Sequence, residues 1–132
     1  MIYGIGHDVV EIKRINRIME GSHREAFLQR ILTSDEQAFA QERAGRLSEF
    51  LAGRFAAKEA VSKAFGCGIG KLIGFQDMTI LPQPGGRPAV QLTEAAWERL
   101  ALPDNGVYNI HLSITHQTEL ASAFAVVERL SK

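Results

Sequence analysis

The sequence of 132 residues contains one cysteine, Cys67, and no excess of charge of either sign. One cysteine cannot form an internal disulfide bond, and it excludes a zinc site built on several cysteines. Fifteen basic and fifteen acidic residues cancel, so no global charge favours nucleic acid. No apolar run is long enough to span a bilayer, and Met1 leads into Ile-Tyr-Gly-Ile-Gly without a signal-peptide pattern. These absences predict a reduced, soluble, cytoplasmic protein that binds neither nucleic acid nor membrane.

What remains is the composition of one globular domain. Hydrophobic residues make up 45% of the chain and charged residues 23%, so residues 1–132 can bury a core as a single domain. Helical patterns begin near residues 11, 22 and 46, and Thr33 with Glu36 forms a capping-box signal before another helix. Thr93 predicts the start of a further helix, and residues 103–106 (PDNG) predict a turn. Strands are predicted at residues 2–10, 75–81, 89–92, 107–116 and 120–128.

The order of these elements predicts an α+β fold. The strands at 2–10, 75–81, 107–115 and 120–128 are expected to form one mostly antiparallel sheet, packed on one long helix with shorter helices around it. Residues 50–66 belong to that long helix, which Gly66 ends in a left-handed C-cap. One of its sides carries only small residues, so another backbone can approach closely there: Ala52, Gly53, Ala56, Ala57, Ala60 and Ala64.

The long helix also contains charged residues but has no clean solvated face. Arg54 and Lys58 project within its bulky apolar stripe, whereas Glu59 and Lys63 flank the small-residue side. Charged groups in a mostly buried helix need partners, and a ligand or metal can be one. The alternative is a link between Glu59 and Lys63 at i,i+4 spacing on a partly wet helix.

Asp8 is the second candidate for chemistry because it ends an apolar strand. An unpaired carboxylate is costly to bury there, so Asp8 needs a metal, a basic partner or water. With Glu59 as a second carboxylate, the pair could hold Mg²⁺, which also takes water and phosphate oxygens. The alternative is that Asp8 caps the helix that starts at Glu11.

Histidine and cysteine give weaker signals. His116 follows Ser113 and Thr115 at a strand end, where it can contact phosphate, move a proton or simply decorate a loop. His7 is better explained as a strand residue than as a transition-metal ligand. Cys67 lies in a glycine-rich loop that follows a helix, the reverse of the dinucleotide-binding order, so a structural thiol is favoured.

Three segments in order carry a resemblance to one family. Residues 4–12 (GIGHDVVEI) resemble its Gly-x-Asp signature, residues 55–64 (FAAKEAVSKA) its aromatic-x-x-Lys-Glu-Ala-x-x-Lys signature, and residues 112–116 (LSITH) its Ser-x-(Ser/Thr)-His segment. The chain is similar over residues 2 to about 130 to the holo-acyl-carrier-protein synthases, the small single-domain class of 4′-phosphopantetheinyl transferases. His7 departs from the family, which more often has a small or aliphatic residue there.

The resemblance implies a reaction and a set of roles. The phosphopantetheine arm of coenzyme A passes to a serine of apo-acyl carrier protein, in the service of fatty acid biosynthesis, and adenosine 3′,5′-bisphosphate leaves. Asp8 and Glu59 hold Mg²⁺ on the pyrophosphate, Lys63 neutralises charge there, and either a carboxylate or a metal-bound water near Asp8 takes the serine proton. The residues implied for the nucleotide and its 3′-phosphate are Arg54, Ser113, Thr115 and His116, with Lys58 on the nucleotide side or behind it.

The resemblance also implies a homotrimer with sites between subunits. Carrier proteins are acidic, so Arg14, Arg17 and Arg24 are expected to form a local basic docking patch, the alternative being an ordinary solvated face. Two rival functions stay open: a non-catalytic subunit that binds Mg²⁺ or nucleotide, and an adaptor that only docks carrier proteins. The accepted carrier proteins and the tolerance for acyl-coenzyme A are not encoded in these motifs.

Overall fold

The computed structural model describes residues 1–42, 45–103 and 106–130. In chain order the elements are β1 (Ile2–Glu11), α1 (Ile12–Glu20), α2 (Arg24–Ile31), α3 (Ser34–Gln41), α4 (Leu47–Ala64), a 3₁₀ turn (Phe75–Asp77), β2 (Met78–Pro82), β3 (Pro88–Leu92), α5 (Glu94–Leu100), β4 (Val107–His116) and β5 (Leu120–Leu130). Across the described ranges, no helix has both the length and the apolar character needed to cross a membrane.

The main sheet confirms the α+β prediction. Its strand order is β1-β5-β4, and both pairings are antiparallel. The middle strand, β5, turns a row of buried small residues toward α4: Ala121, Ala123, Ala125 and Val127. Small side chains on both sides let the helix lie close to the sheet, so α4 forms the centre of the core.

The backbones of α4 and β1 approach one another closely, and glycine makes this approach possible. A Cβ atom on Gly6 would fall 2.7 Å from the backbone nitrogen of Ala64 and nearer still to the carbonyl oxygen of Ala60. Gly4 lies equally close to the carbonyl of Ala64. The small-residue side of the long helix is therefore where another backbone packs, as predicted, and Asp8 follows directly along the same strand.

The hairpin formed by β2 and β3 differs from the sequence predictions in two ways. Strands β2 and β3 form a separate two-stranded sheet, not part of the main one. The segment predicted as a strand from residue 75 begins with the 3₁₀ turn, because Asp77 accepts a hydrogen bond from the amide of Gly74 and closes that turn. In the middle of β2, both backbone groups of Ile80 form hydrogen bonds with side chains: the amide donates to Glu36 and the carbonyl oxygen accepts from Arg54.

Helix ends follow the sequence signals. Thr33 and Glu36 form the predicted capping box at the start of α3, and Thr93 caps α5 through the amide of Ala96. Gly66 follows α4 with φ +84°, in the left-handed region that favours glycine. The two central residues of the predicted 103–106 turn lie outside the described residues.

Candidate functional site

Asp8 lies at the meeting of β1 and α4. Lys63, in the last turn of α4, donates from Nζ to Asp8 Oδ1 at 3.0 Å and to the carbonyl oxygen of His7 at 3.2 Å. The alternative in which Asp8 caps α1 is not what the structure shows, since Glu11 occupies the N-cap position without a side-chain cap. Asp8 instead forms an ion pair with Lys63 of the long helix.

Glu59 completes a charged cluster with these two residues. Burial raises the pKa of Glu59, the negative charge of Asp8 raises it further, and Lys63 partly offsets both effects. The structure thus brings Asp8, Glu59 and Lys63 together from two elements that are distant in sequence. Lys63 contacts Asp8, so the alternative of a simple Glu59–Lys63 link along the helix does not describe this cluster.

The donor set of this cluster suits a hard divalent cation. Because the negative charge of Asp8 contributes to the raised pKa of Glu59, a shared positive charge would stabilise the ionised form of Glu59 beside Asp8. In the described part of the chain no group of three or more His, Cys, Asp or Glu side chains is arranged to hold a metal. Mg²⁺ fits a two-carboxylate site because it keeps several waters and takes phosphate oxygens as its other ligands.

A cavity of about 340 Å³ opens beside Glu59. Arg14 and Arg30 contribute the basic groups of its lining, and the other walls are apolar, formed by Val10, Ile15, Ile18, Phe27, Ile31, Phe55, Ile69 and Phe75. Arg14 therefore lines the same cavity as Glu59, one of the two carboxylates of the cluster.

The three arginines of the expected docking patch do not share one cavity. Arg17 is exposed on α1. Arg24 donates to the carbonyl of Met19 at 3.4 Å and lines other cavities, next to the start of α4. The structure thus sets Arg14 beside the charged cluster and Arg24 toward a different part of the surface.

A second cavity, of about 250 Å³, brings Arg54 and His116 together. Arg54 is only 7% exposed, its Nε donates to the carbonyl of Ile80 at 2.9 Å, and its guanidinium carbon lies 4.4 Å from the centre of the Phe50 ring. His116 packs over Gly53, where a Cβ atom would lie 2.5 Å from Nε2 of the ring. The small residue in the helix therefore leaves room for the imidazole.

Ser113 and Thr115, which the family resemblance also implies for the nucleotide, do not line this cavity. Side chains alternate along β4, so Ile114 and His116 face α4 while Ser113 and Thr115 are exposed on the opposite face of the sheet. Within one chain these two hydroxyls do not reach the cavity that Arg54 lines.

The structure places Lys58 in the core. Its side chain is fully buried, and Nζ is 2.6 Å from Glu36 Oε1, 2.6 Å from the carbonyl oxygen of Ile31 and 3.0 Å from that of Phe75. Burial lowers the pKa of this ammonium group, and the contact with Glu36 opposes that shift. Of the two positions expected for Lys58, on the nucleotide side or behind it, this geometry favours the second, because three oxygens of the core enclose its charge.

His7 and Cys67 have ordinary environments. Nε2 of His7 is 3.0 Å from Ser122 Oγ on the exposed face of the main sheet. Cys67 is exposed beyond the end of α4, and partial burial raises its pKa, which favours the thiol over the reactive thiolate.

Sequence reasoning missed the connecting role of Glu36. The capping-box pattern located this residue but assigned it only to the start of a helix, and no sequence signal pairs it with Lys58, 22 positions away. Phe50 supports Arg54 from one turn earlier on α4, and its apolar character in the sequence gives no signal of that contact. Gly53 is small by sequence, but its histidine neighbour, His116, lies on a strand 63 residues further along the chain.

Comparison with known proteins gives a consistent result. Residues 4–122 match the family model of the 4′-phosphopantetheinyl transferase superfamily. The holo-[acyl-carrier-protein] synthase of Bacillus cereus is 44% identical over the full length of both chains. A crystal structure of the Bacillus anthracis holo-(acyl-carrier-protein) synthase in complex with CoA (3′,5′-ADP) superposes with a TM-score of 0.81 at 39% identity, covering 99% of each chain. The Neisseria meningitidis synthase superposes with a TM-score of 0.86 at 37% identity, covering 97% of this chain and 99% of that one.

Proposed function

The chain belongs to the 4′-phosphopantetheinyl transferase superfamily, and we propose that it transfers the 4′-phosphopantetheine group of coenzyme A to a serine of apo-acyl carrier protein. The co-substrate is supported by the coenzyme A complex of the Bacillus anthracis relative. The acceptor is supported by the name that the curated relatives share. Residues 1–132 act as one transferase domain in this proposal.

The observation that carries the proposal is the arrangement of charge along α4. Near the C-terminal end of α4, Glu59 and Lys63 lie beside Asp8. One to two turns earlier on the same helix, Arg54 lines a cavity with His116. At 1.5 Å per residue, Arg54 and Glu59 are separated by about 7–8 Å along the helix axis. In this proposal Glu59 of α4 and Asp8 of β1 bind the cation at the pyrophosphate, and Arg54 of the same helix binds the 3′-phosphate in the cavity that it shares with His116.

In this arrangement Asp8 and Glu59 would hold Mg²⁺ against the pyrophosphate. When bound, the ion supplies positive charge that stabilises the charge developing on the transferring phosphate. Lys63 adds a second positive charge on the same side, next to Asp8. Arg54 and His116 hold the nucleotide end, which places the pyrophosphate at the carboxylates and leaves the pantetheine side open to the carrier protein.

The reaction is a displacement at phosphorus. The serine oxygen of the carrier protein forms a bond to the β-phosphorus, the bond from that phosphorus to the bridging oxygen breaks, and adenosine 3′,5′-bisphosphate leaves with the electron pair. The serine proton passes to a nearby base, for which Asp8 and Glu59 are the carboxylates at hand. Most of the rate enhancement in such a transfer comes from positioning and charge neutralisation rather than from covalent chemistry by the enzyme.

The test is a transfer assay with purified components. The protein is incubated with apo-acyl carrier protein, coenzyme A and Mg²⁺, and the carrier protein is weighed by mass spectrometry. We expect Asp8→Ala and Glu59→Ala each to abolish the mass increase in folded protein, and the double variant to be little worse than either single. A binding-only subunit or an adaptor would give no mass increase with the unmodified chain, and normal transfer by Glu59→Ala would contradict the shared metal site.

We further propose that the enzyme is a homotrimer whose sites lie between subunits. The face of the main sheet turned away from α4 exposes several large apolar side chains: Ile5, Val9, Val107, Leu120 and Phe124. Contiguous exposed apolar surface of this kind is typical of an interface between subunits. Ser113 and Thr115 lie on that same face, so a neighbouring subunit is where their hydroxyls could serve a nucleotide. A role in fatty acid biosynthesis and a cytoplasmic location stay predictions from the family resemblance.

A further inference from the structure

Glu36 joins three elements through one buried carboxylate, and the reaction described above does not use it. Its side chain is fully buried. Oε1 accepts hydrogen bonds from Nζ of Lys58 at 2.6 Å and from the backbone amide of Thr33 at 2.8 Å, while Oε2 accepts from the backbone amide of Ile80 at 2.8 Å. Oε1 therefore binds α4 and the start of α3, and Oε2 binds β2.

Ile80 transmits this connection to Arg54. Its amide is held by Glu36, and its carbonyl oxygen accepts from Nε of Arg54 at 2.9 Å. Because the guanidinium group is planar and rigid, holding Nε orients the whole group, and the ring of Phe50 supports it from the side. A chain of short polar contacts thus runs from Glu36 through one residue of β2 to the side chain that lines the cavity with His116.

The chemistry of position 36 supports a geometric role. A buried ion pair contributes little net stability compared with well-packed apolar side chains of similar volume, so stability is a weak reason for a carboxylate here. A carboxylate with two separate oxygens can, however, fix the distance between α4 and β2, which an apolar side chain cannot do. That distance decides where the Ile80 carbonyl meets Arg54.

We propose that Glu36 is a positioning residue for coenzyme A binding, which holds β2 so that the Ile80 carbonyl directs Arg54 into the cavity shared with His116. This inference rests on the proposed function, because it takes that cavity to receive the nucleotide end of coenzyme A. Glu36 itself touches neither substrate.

The main test is Glu36→Gln. Glutamine has the same shape, but the ammonium of Lys58 keeps the amide oxygen on its own side, so the NH₂ group turns to the Ile80 amide and that hydrogen bond is lost. We expect the KM for coenzyme A to rise about fivefold while kcat stays within about twofold, since the lost interaction acts on ground state and transition state alike. Val127→Ala is the control: this residue of β5 is fully buried but takes no part in the hydrogen bonds that join Glu36, Ile80 and Arg54. Its truncation should lower thermal stability with KM unchanged.

A double-variant cycle shows whether Glu36 acts through Arg54. The KM of Glu36→Gln/Arg54→Ala should equal that of Arg54→Ala alone, whereas two effects that multiply would overturn the inference. If Arg54→Ala raises KM and Glu36→Gln does not, the inference fails and the proposed function stands. If Arg54→Ala leaves KM unchanged, the nucleotide cavity itself is contradicted.

A second variant covers the case in which Glu36→Gln does not fold at the assay temperature. Glu36→Asp keeps a counter-ion for Lys58 but is one carbon too short to reach both sides, and the same rise in KM is expected. If neither variant folds, Glu36 serves stability alone and the inference is overturned.

Discussion

Gly6→Ala tests whether the close packing of β1 on α4 creates the charged cluster. The new Cβ atom would lie 2.7 Å from Ala64 N, 2.8 Å from the carbonyl carbon of Ala60 and nearer still to its oxygen, all inside the 3.0 Å that such atoms essentially never cross. These are backbone atoms of a buried helix, so no side chain can rotate away. The strand must retreat by about 1 Å or the helix must shift.

The cost can be estimated from these contacts. Overpacking of a rigid core costs about 1–3 kcal/mol, and we expect the upper end here because backbone meets backbone. The reduced freedom of alanine in the unfolded chain offsets about 0.4–1 kcal/mol. The net loss is then about 2–2.5 kcal/mol, which for a domain of this size lowers Tm by about 10 °C. Asp8 moves with the strand, and a misplacement of about 1 Å in a reacting site can lower the rate about 100-fold.

The assay combines thermal unfolding by circular dichroism with the mass-based transfer assay at a temperature where the variant is folded. Gly70→Ala is the matched control, because a Cβ atom there has no neighbour within 4 Å, and it should change neither Tm nor transfer. A Gly6→Ala protein that melts within about 2 °C of the unmodified chain and transfers at the full rate would refute the reasoning.

Four further outcomes are expected. His116→Ala should raise the KM for coenzyme A by about 10- to 150-fold, the equivalent of about 1.5–3 kcal/mol, but not the KM for 3′-dephospho-coenzyme A; equal penalties would place the imidazole away from the 3′-phosphate. Arg14→Glu should raise the KM for the carrier protein with coenzyme A affinity unchanged, and added salt should weaken the unmodified enzyme more than the variant; unaltered salt dependence would exclude Arg14 from docking. Phe124→Lys should convert a trimer to monomers in analytical ultracentrifugation, and an unchanged sedimentation coefficient would contradict the sheet-face interface. Burial raises the pKa of Asp77, but hydrogen bonds from Gly74, Arg99 and Thr93 and the charge of Arg99 lower it by more. Asp77→Asn should therefore lower the free energy of unfolding by about 1 kcal/mol near neutral pH, and this difference should vanish as the pH falls below the ordinary value of 3.8 and through the lowered pKa. A difference that does not depend on pH would contradict this account.

Several features of the fold follow from local sequence alone. The capping box of Thr33 and Glu36, the cap at Thr93 and the glycine end of α4 at Gly66 are each formed by residues a few positions apart, so their geometry is encoded where it occurs. The small-residue side of α4 predicted close backbone packing, because an absent side chain permits approach whatever the partner. The same reasoning applied to the charged residues of α4 established that they need partners, without identifying them.

The identity of those partners was decided by tertiary structure. Lys58 and Lys63 are five positions apart on one helix, yet one ammonium is enclosed by Glu36 in the core and the other meets Asp8 at the site. Burial and partner choice depend on which elements pack against each face of α4, and those elements come from distant parts of the chain. Strand alternation likewise sent His116 to the helix side of the sheet and Ser113 and Thr115 to the other, although the three follow one another in a single motif. The sequence by itself determined the family, the caps and the candidate carboxylates; only the packed structure decided which charges remain available to a ligand, because long-range contacts and not local pattern set the burial of each side chain.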